Sequence, residues 1–220
     1  MNGYDRRANW ERMMNGFDLF RQPDENLLPF DGTVNDYGLL MPSAEADACL
    51  HSLLHDIAWQ HDEVVVAGRR ITTARQVAWY GQAGFRYAYS GVVHEALPWQ
   101  QQPLLLRLKA LVEAQIGDTA FNSCLLNLYR NGREGMAWHS DNEAALGRQT
   151  VIASLSFGAA RKFAFKHKTR GDKREIMLQH GQLLVMRGDT QQYWLHALMK
   201  SSRISEPRIN LTFRTFIAPG

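Results

Sequence analysis

The sequence predicts an α+β fold that is mainly β, an antiparallel sandwich or barrel carried by a few supporting helices. Three observations predict it. From about Asn122 onward the chain divides into short runs of strand-like composition, SCLLNLYR, TVIASLSFG, KFAFKH, EIMLQ, QLLVMR, YWLHALM and INLTFRTFI, most of them separated by polar or glycine-containing turns. These runs follow one another with no helical period between them, which points to antiparallel pairing. The 220 residues are 45% hydrophobic, enough for one sizeable core without a second domain.

Taken in order, residues 1–30 are polar, rich in Asn, Arg and Met and without a period. They are expected to form a loosely ordered arm ahead of a single domain over 31–220. Ser43 is placed to cap a helix that runs to about Trp59, because Ala46, Leu50, Leu53, Leu54 and Ile57 recur at helical spacing. A second helix is expected from Pro98 to Gln115, with Leu104, Leu105, Leu108, Leu111 and Val112 apolar and Gly117 near its end. Both read as supports for a sheet. There is no internal repeat or low-complexity tract. The longest apolar runs, such as LLLRLKALV, are broken by charge well short of a membrane span, and MNGYDRRANW holds no signal-peptide core. Cys49 and Cys124 are too few and too far apart for a disulfide framework. A soluble cytoplasmic protein, away from membranes, is expected.

The net charge of +3 is unevenly spread. RKFAFKHKTRGDKR, residues 161–174, holds seven Lys or Arg against Asp172, a local charge of about +6 that leaves the rest of the chain about −3. It reads either as a solvated face or as a clamp on phosphates. The clamp is favoured because Phe163 and Phe165 fall on the strand face opposite Lys162 and Lys166, so one face can pack while the other meets an anion.

Chemistry is concentrated in GMAWHSDNE, residues 135–143, where His139, Asp141 and Glu143 stand at alternate positions. In an extended segment His139 and Asp141 project to the same side and can share one metal ion. A third ligand must come from a distant strand, and His196, set among apolar residues in YWLHALM, is the candidate. Two histidines and one carboxylate make the facial triad that leaves Fe(II) with open positions for an organic co-substrate and dioxygen. In PRINLTFRTF, Arg208, Asn210, Thr212 and Arg214 share one parity while Ile209, Leu211 and Phe213 take the other. Two arginines on a buried-type face require anions, supplied either by acids on neighbouring strands or by a dicarboxylate. HSLLH offers a further pair, His51 and His55, without the glutamate of a zinc-protease helix.

HSDNE, His196 and above all RINLTFR, preceded by NLY at 127–129, resemble the AlkB family of Fe(II)- and 2-oxoglutarate-dependent nucleic-acid dealkylases. The resemblance covers about 64–217. ARQVAWYGQAGFRYAYSG, VIASLSFGAARKFAFKHK and HGQLLVMRG make the chain most similar to the DNA-repair members, those related to the second human homologue. It implies a double-stranded β-helix, or jelly roll, core over about 120–217, supporting helices, an amino-terminal extension and a nucleotide-recognition region at about 64–94. It implies Fe(II) ligation by His139, Asp141 and His196, and 2-oxoglutarate binding by Arg208 and Arg214 assisted by Asn127, Tyr129 and Asn210. Arg208 would grip the distal carboxylate by a bidentate fork, with Arg214 nearer the iron.

The implied substrate is alkylated DNA, with RNA left open, and the implied reaction is removal of the methyl group from 1-methyladenine or 3-methylcytosine. Formaldehyde, succinate and CO2 would be released, with O2 as oxidant. Such bases are cationic, so an aromatic face and a carboxylate are required, and Tyr87, Tyr89 and Glu143 match those positions. The base must be extruded or taken from a single strand. VVVAGRR occupies the place of the family's gap-filling finger with Ala67 at its tip, a poor plug unless Val65 or Val66 serves; Arg69, Arg70 and Arg75 are candidates for holding phosphates. A monomer is expected. An oxygenase of this fold acting on a protein or a small molecule remains the alternative, and salt-sensitive DNA binding would separate the two.

Overall fold

The computed structural model describes residues 23–66, 69–82, 86–89, 92–117, 119–147 and 149–217, with 64–66, 86–89 and 92–94 described by their backbone alone. The elements before the second helix are β1 (Thr33–Leu39), α1 (Ser43–Asp56), β2 (Gln60–Val66), β3 (Arg69–Gly81), β4 (Arg86–Tyr89), β5 (Val92–Glu95) and β6 (Leu97–Pro98). After α2 (Pro103–Ile116) come β7 (Ser123–Tyr129), β8 (Met136–His139), β9 (Ile152–Gly158), β10 (Arg161–His167), β11 (Lys173–Leu178) and β12 (Gln182–Arg187). The short α3 (Thr190–Tyr193) leads into β13 (Trp194–Leu198) and β14 (Arg208–Arg214).

Among the described residues these strands form an eight-stranded sheet, β1-β12-β9-β14-β7-β3-β2 with β6 beside β3, a four-stranded sheet, β11-β10-β13-β8, and the hairpin β4-β5. Except for β6 on β3, the pairing is antiparallel. The large sheet is covered on both faces, which strand alternation makes possible. Leu126, Leu155, Leu211 and Phe213 on one face pack with Leu53 of α1 and Leu105 and Leu108 of α2. Ile152, Leu184 and Met186 on the other face pack with Phe163 and Phe165 of β10 and Trp194 of β13. Each such side chain taken fully out of water contributes about 1.5–3 kcal/mol. Both helices thus serve as the expected supports, and the mainly β α+β reading agrees with the observed sheets.

The details differ in four places. Ser43 does not cap α1: it is the first helical residue, Pro42 takes the cap position, and no side chain caps there. The helix stops at Asp56, since Ile57 is already extended. α2 begins at Pro103 and not at Pro98, because Trp99–Gln101 forms a separate 3-10 turn and Gln102 leaves the helical region. The expected arm, where described, is anchored: Leu28 is buried in the second core, the Asn26 Oδ1 accepts hydrogen bonds from the Leu28 and Val34 amides, and the Trp194 indole donates to the Phe30 carbonyl. Residues 1–22 lie outside the described residues. Among the described residues no helix is long and apolar enough to cross a membrane.

Candidate active site

The site lies between the two sheets, where the inward face of β14 turns polar. Arg208, Asn210, Thr212 and Arg214 are all buried on that face, opposite Ile209, Leu211 and Phe213, as their parity predicts. β7 lies on one side of β14, with Asn127 registered to Asn210 and Tyr129 to Arg208. β9 lies on the other and adds Ser154 and Ser156.

The four-stranded sheet supplies the histidines. β8 and β13 pair with His139 directly opposite His196, and the ring centroids are 4.2 Å apart. Asp141 follows two residues beyond the end of β8, its amide donating to the Gln191 Oε1 on α3 at 2.9 Å. The candidate donor atoms of His139, Asp141 and His196 all lie within 4.8 Å of one another, and among the described residues they are the one such group. The His139 Nδ1 sits 2.8 Å from the Ala137 carbonyl, which can only accept, so the proton is on Nδ1 and the Nε2 lone pair is left for a ligand. The His196 Nδ1 is buried and has no hydrogen-bond partner among the described residues.

Electrostatics prepare this group for a cation. Burial, joined by the neighbouring charges of His139 and Arg214, pushes His196 down to about 3 against the opposing pull of Asp141. Burial alone would raise Asp141, but the Arg214 guanidinium and the two imidazoles outweigh it and hold the carboxyl at about 2. A buried neutral imidazole, an ionised carboxylate and a free Nε2 form a donor set that takes up a divalent ion without first losing protons. These residues fit the Fe(II) that the facial triad implies.

The two arginines of β14 have different surroundings. The Arg214 Nη2 donates to the Asp141 Oδ2 at 2.7 Å, so a carboxylate already faces this guanidinium. Arg208 is only 1% exposed, and its Nη2 donates to the Ser156 Oγ at 2.8 Å and the Asn210 Oδ1 at 3.3 Å. Its Nε and Nη1 are buried and have no partner among the described residues. Burial lowers its pKa to about 10, with Tyr129 opposing and Arg161 adding. Both acceptors are neutral, so the charge still lacks an anion, and a carboxylate supplied from outside the chain would provide it. A cavity of about 370 Å³ is bounded by the three candidate ligands and by Arg214, Asn127, Tyr129 and Asn210; Arg208 does not border it but donates to Asn210, which does.

The residues expected to meet substrate are distributed unevenly. Glu143 lines the cavity. Arg75 lines it too, but as a phosphate clamp it is corrected: it is 7% exposed, paired to Asp62, and donates to the Asn127 Oδ1 at 2.7 Å. Lys162 is exposed and paired to Glu175 at 2.7 Å, while Lys166 is half-buried, and neither borders the cavity. The basic run loses one charge from its surface. Arg161 shares the parity of Phe163 and Phe165, is fully buried, and donates to the carbonyls of Asn131, Gly132, Glu134 and Met199. Arg69 and Arg70 are exposed, Arg70 pairing with Glu63. Tyr87 and Tyr89 belong to β4, and Val65 and Val66 to β2, all described by backbone alone; Ala67 lies outside the described residues.

Sequence reasoning missed Asp62, Ser154, Ser156 and Gln191. Two hydroxyls at alternate positions in the otherwise apolar VIASLSFG were a usable signal for Ser154 and Ser156. Gln191 and Asp62 had none, since nothing local marks a residue that acts on a side chain far away in the chain.

With this geometry in view, comparisons place the chain among known proteins. A family model described as the 2OG-Fe(II) oxygenase superfamily matches residues 37–214. Alpha-ketoglutarate-dependent dioxygenase alkB homolog 3 of Bos taurus is 42% identical over 186 residues, 78% of this chain and 62% of that protein. DNA oxidative demethylase ALKBH2 of Mus musculus is 36% identical over 208 residues, 90% of this chain and 86% of that one. The leaning toward the second homologue therefore holds for span, while identity is higher to the third. A crystal structure titled as an oxidoreductase of the 2OG-Fe(II) oxygenase family from Burkholderia pseudomallei superposes with a TM-score of 0.55 at 14% identity, over 89% of this chain and 92% of the other, a likeness of fold alone. The chain spans about three fifths of the length of the homolog 3 relative.

Proposed function

The chain belongs to the 2OG-Fe(II) oxygenase superfamily, and from that premise we propose that it is an oxidative demethylase of N-alkylated bases, of the 1-methyladenine and 3-methylcytosine type, in DNA. The observation that carries the proposal is one cavity bounded by the His139, Asp141 and His196 group and by Asn210, the residue bonded to the buried, anion-seeking Arg208. Fe(II), 2-oxoglutarate and O2 supply the oxidation: the N-linked methyl group is hydroxylated while 2-oxoglutarate becomes succinate and CO2, and the hydroxymethyl group then leaves as formaldehyde.

The chain's own residues do the placing. His139, Asp141 and His196 hold the ion, and Arg214 fixes one Asp141 oxygen so that the carboxylate presents the other. Arg208, steadied by Ser156 and by the cavity-lining Asn210, would supply its unpartnered Nε and Nη1 to a carboxylate of the co-substrate, and their burial keeps water from competing. Glu143 offers the cationic base a negative neighbour at the cavity wall. Action as a monomer is part of this reading. The relatives support the substrate class, since one is named as a DNA oxidative demethylase.

The deciding measurement is formaldehyde release from a single-stranded oligonucleotide carrying 3-methylcytosine, run with and without Fe(II) and 2-oxoglutarate. Release that requires both is expected. No release from either DNA or RNA would remove the demethylase reading and leave an oxygenase with another substrate.

A further inference from the structure

The hairpin β2-β3 is irregular at one place. His61 pairs with Gln76 and Glu63 with Thr72, so a single residue, Asp62, lies opposite an unpaired stretch that contains Arg75. An interruption of this kind re-aims side chains, and bulges are common beside active sites. Here both side chains turn inward. Asp62 is 6% and Arg75 7% exposed, they are ion-paired to each other, and both border the cavity. Arg75 is fixed further by the Asn127 Oδ1 at 2.7 Å and the Met136 Sδ at 3.3 Å.

A fixed cation in the wall is at odds with a substrate that is itself cationic. Four carboxylates line the cavity, Asp62, Glu95, Asp141 and Glu143, against two guanidiniums, Arg75 and Arg214, a formal excess of two negative charges. A divalent ion and a dicarboxylate would add charges that cancel. Asp141 already faces Arg214, and Glu95 and Glu143 supply the negative excess, so how strongly the wall favours a cation depends on Asp62 balancing Arg75, whose unbalanced charge would halve that excess.

We infer that Asp62 is a specificity-determining residue: by neutralising Arg75 inside the cavity wall, it sets the preference for a cationic over a neutral methylated base. The inference rests on the demethylase reading and adds the charge class of the base that this wall selects. Asp62 acts through Arg75 and is in that sense a positioning residue.

The test compares two single-stranded oligonucleotides, one with cationic 3-methylcytosine and one with neutral 3-methylthymine, by fluorescence anisotropy on protein loaded anaerobically with Fe(II) and 2-oxoglutarate. Asp62→Asn leaves Arg75 uncompensated and is expected to lower the ratio of affinities, cationic over neutral, about tenfold. Arg75→Gln leaves the carboxylate uncompensated and is expected to move the ratio the other way, a prediction that stands even if Asp62→Asn does not fold. The double variant is expected to return toward the parent ratio. A loss shared equally by both oligonucleotides, or shifts of the same sign in the two single variants, would overturn the role of Asp62. Formaldehyde release by the parent protein separates the layers: release with an unmoved ratio sinks Asp62 alone, and no release sinks the demethylase reading along with it.

Discussion

At the scale of single residues, alternation was the informative signal. Residues of one parity in a strand share a face, so HSD, NLY and RINLTFR were enough to bring forward His139, Asp141, Asn127, Tyr129, Arg208, Asn210 and Arg214; β7, β8 and β14 carry all of them but Asp141, which lies just past the end of β8. It could not tell the two arginines apart, because that depends on which residue of another strand reaches each guanidinium. Arg214 found Asp141 and Arg208 found only neutral oxygens. Arg208→Ala is therefore expected to raise the 2-oxoglutarate concentration needed for half-maximal succinate formation about ten- to a hundredfold, the worth of one or two charge-assisted hydrogen bonds. An unchanged requirement in a steady-state titration would refute that assignment.

At the scale of elements, the run of strands after Asn122 was legible, and the strands before α2 were not. β3 is the clearest case: RRITTARQVAWYG has an exposed, polar first half and becomes buried only from Arg75 onward, so neither strict alternation nor a continuous apolar run marks it. Short elements fixed by tertiary contacts also escaped, α3 being one turn held where the Thr190 hydroxyl accepts from the Thr33 amide. Element geometry also sets the position of Arg208. Gly158 is its registered partner on β9, has φ +83°, and donates its amide to the His180 Nδ1 at 2.9 Å. A Cβ there would run into the Pro207 carbonyl oxygen and approach the Arg208 Cα to 3.3 Å. Gly158→Ala is expected to cost about 1–3 kcal/mol in urea unfolding. It should also raise the 2-oxoglutarate requirement by pushing β14 away from β9; a purely structural loss would leave that requirement where it was.

At the scale of the whole molecule, the polar site lies between apolar layers, and the same burial that shapes it makes the fold sensitive to acid. In the folded protein His196 resists protonation down to about 3, against an ordinary value of 6.5. Below 6.5 the unfolded chain takes up a proton that the folded one refuses, so stability is lost as pH falls from 6.5 toward 3, by up to about 1.4 kcal/mol per pH unit. Asp141, depressed from 3.8 to about 2, extends the loss in the same direction below 3.8. Urea midpoints of the metal-free protein should fall on going from pH about 7 to about 4, and His196→Gln should flatten that fall; a midpoint indifferent to pH in the parent would contradict a buried neutral imidazole. The way the small sheet closes has a mechanical side as well. β8 has four residues at the sheet's margin and meets β13 at two registered pairs with an irregularity between them, and one of those pairs is the two histidines. An ion gripped by both rings would rivet that seam, so the reactive centre doubles as a fastener, and losing the ion would let the margin fray from the end that carries the chemistry.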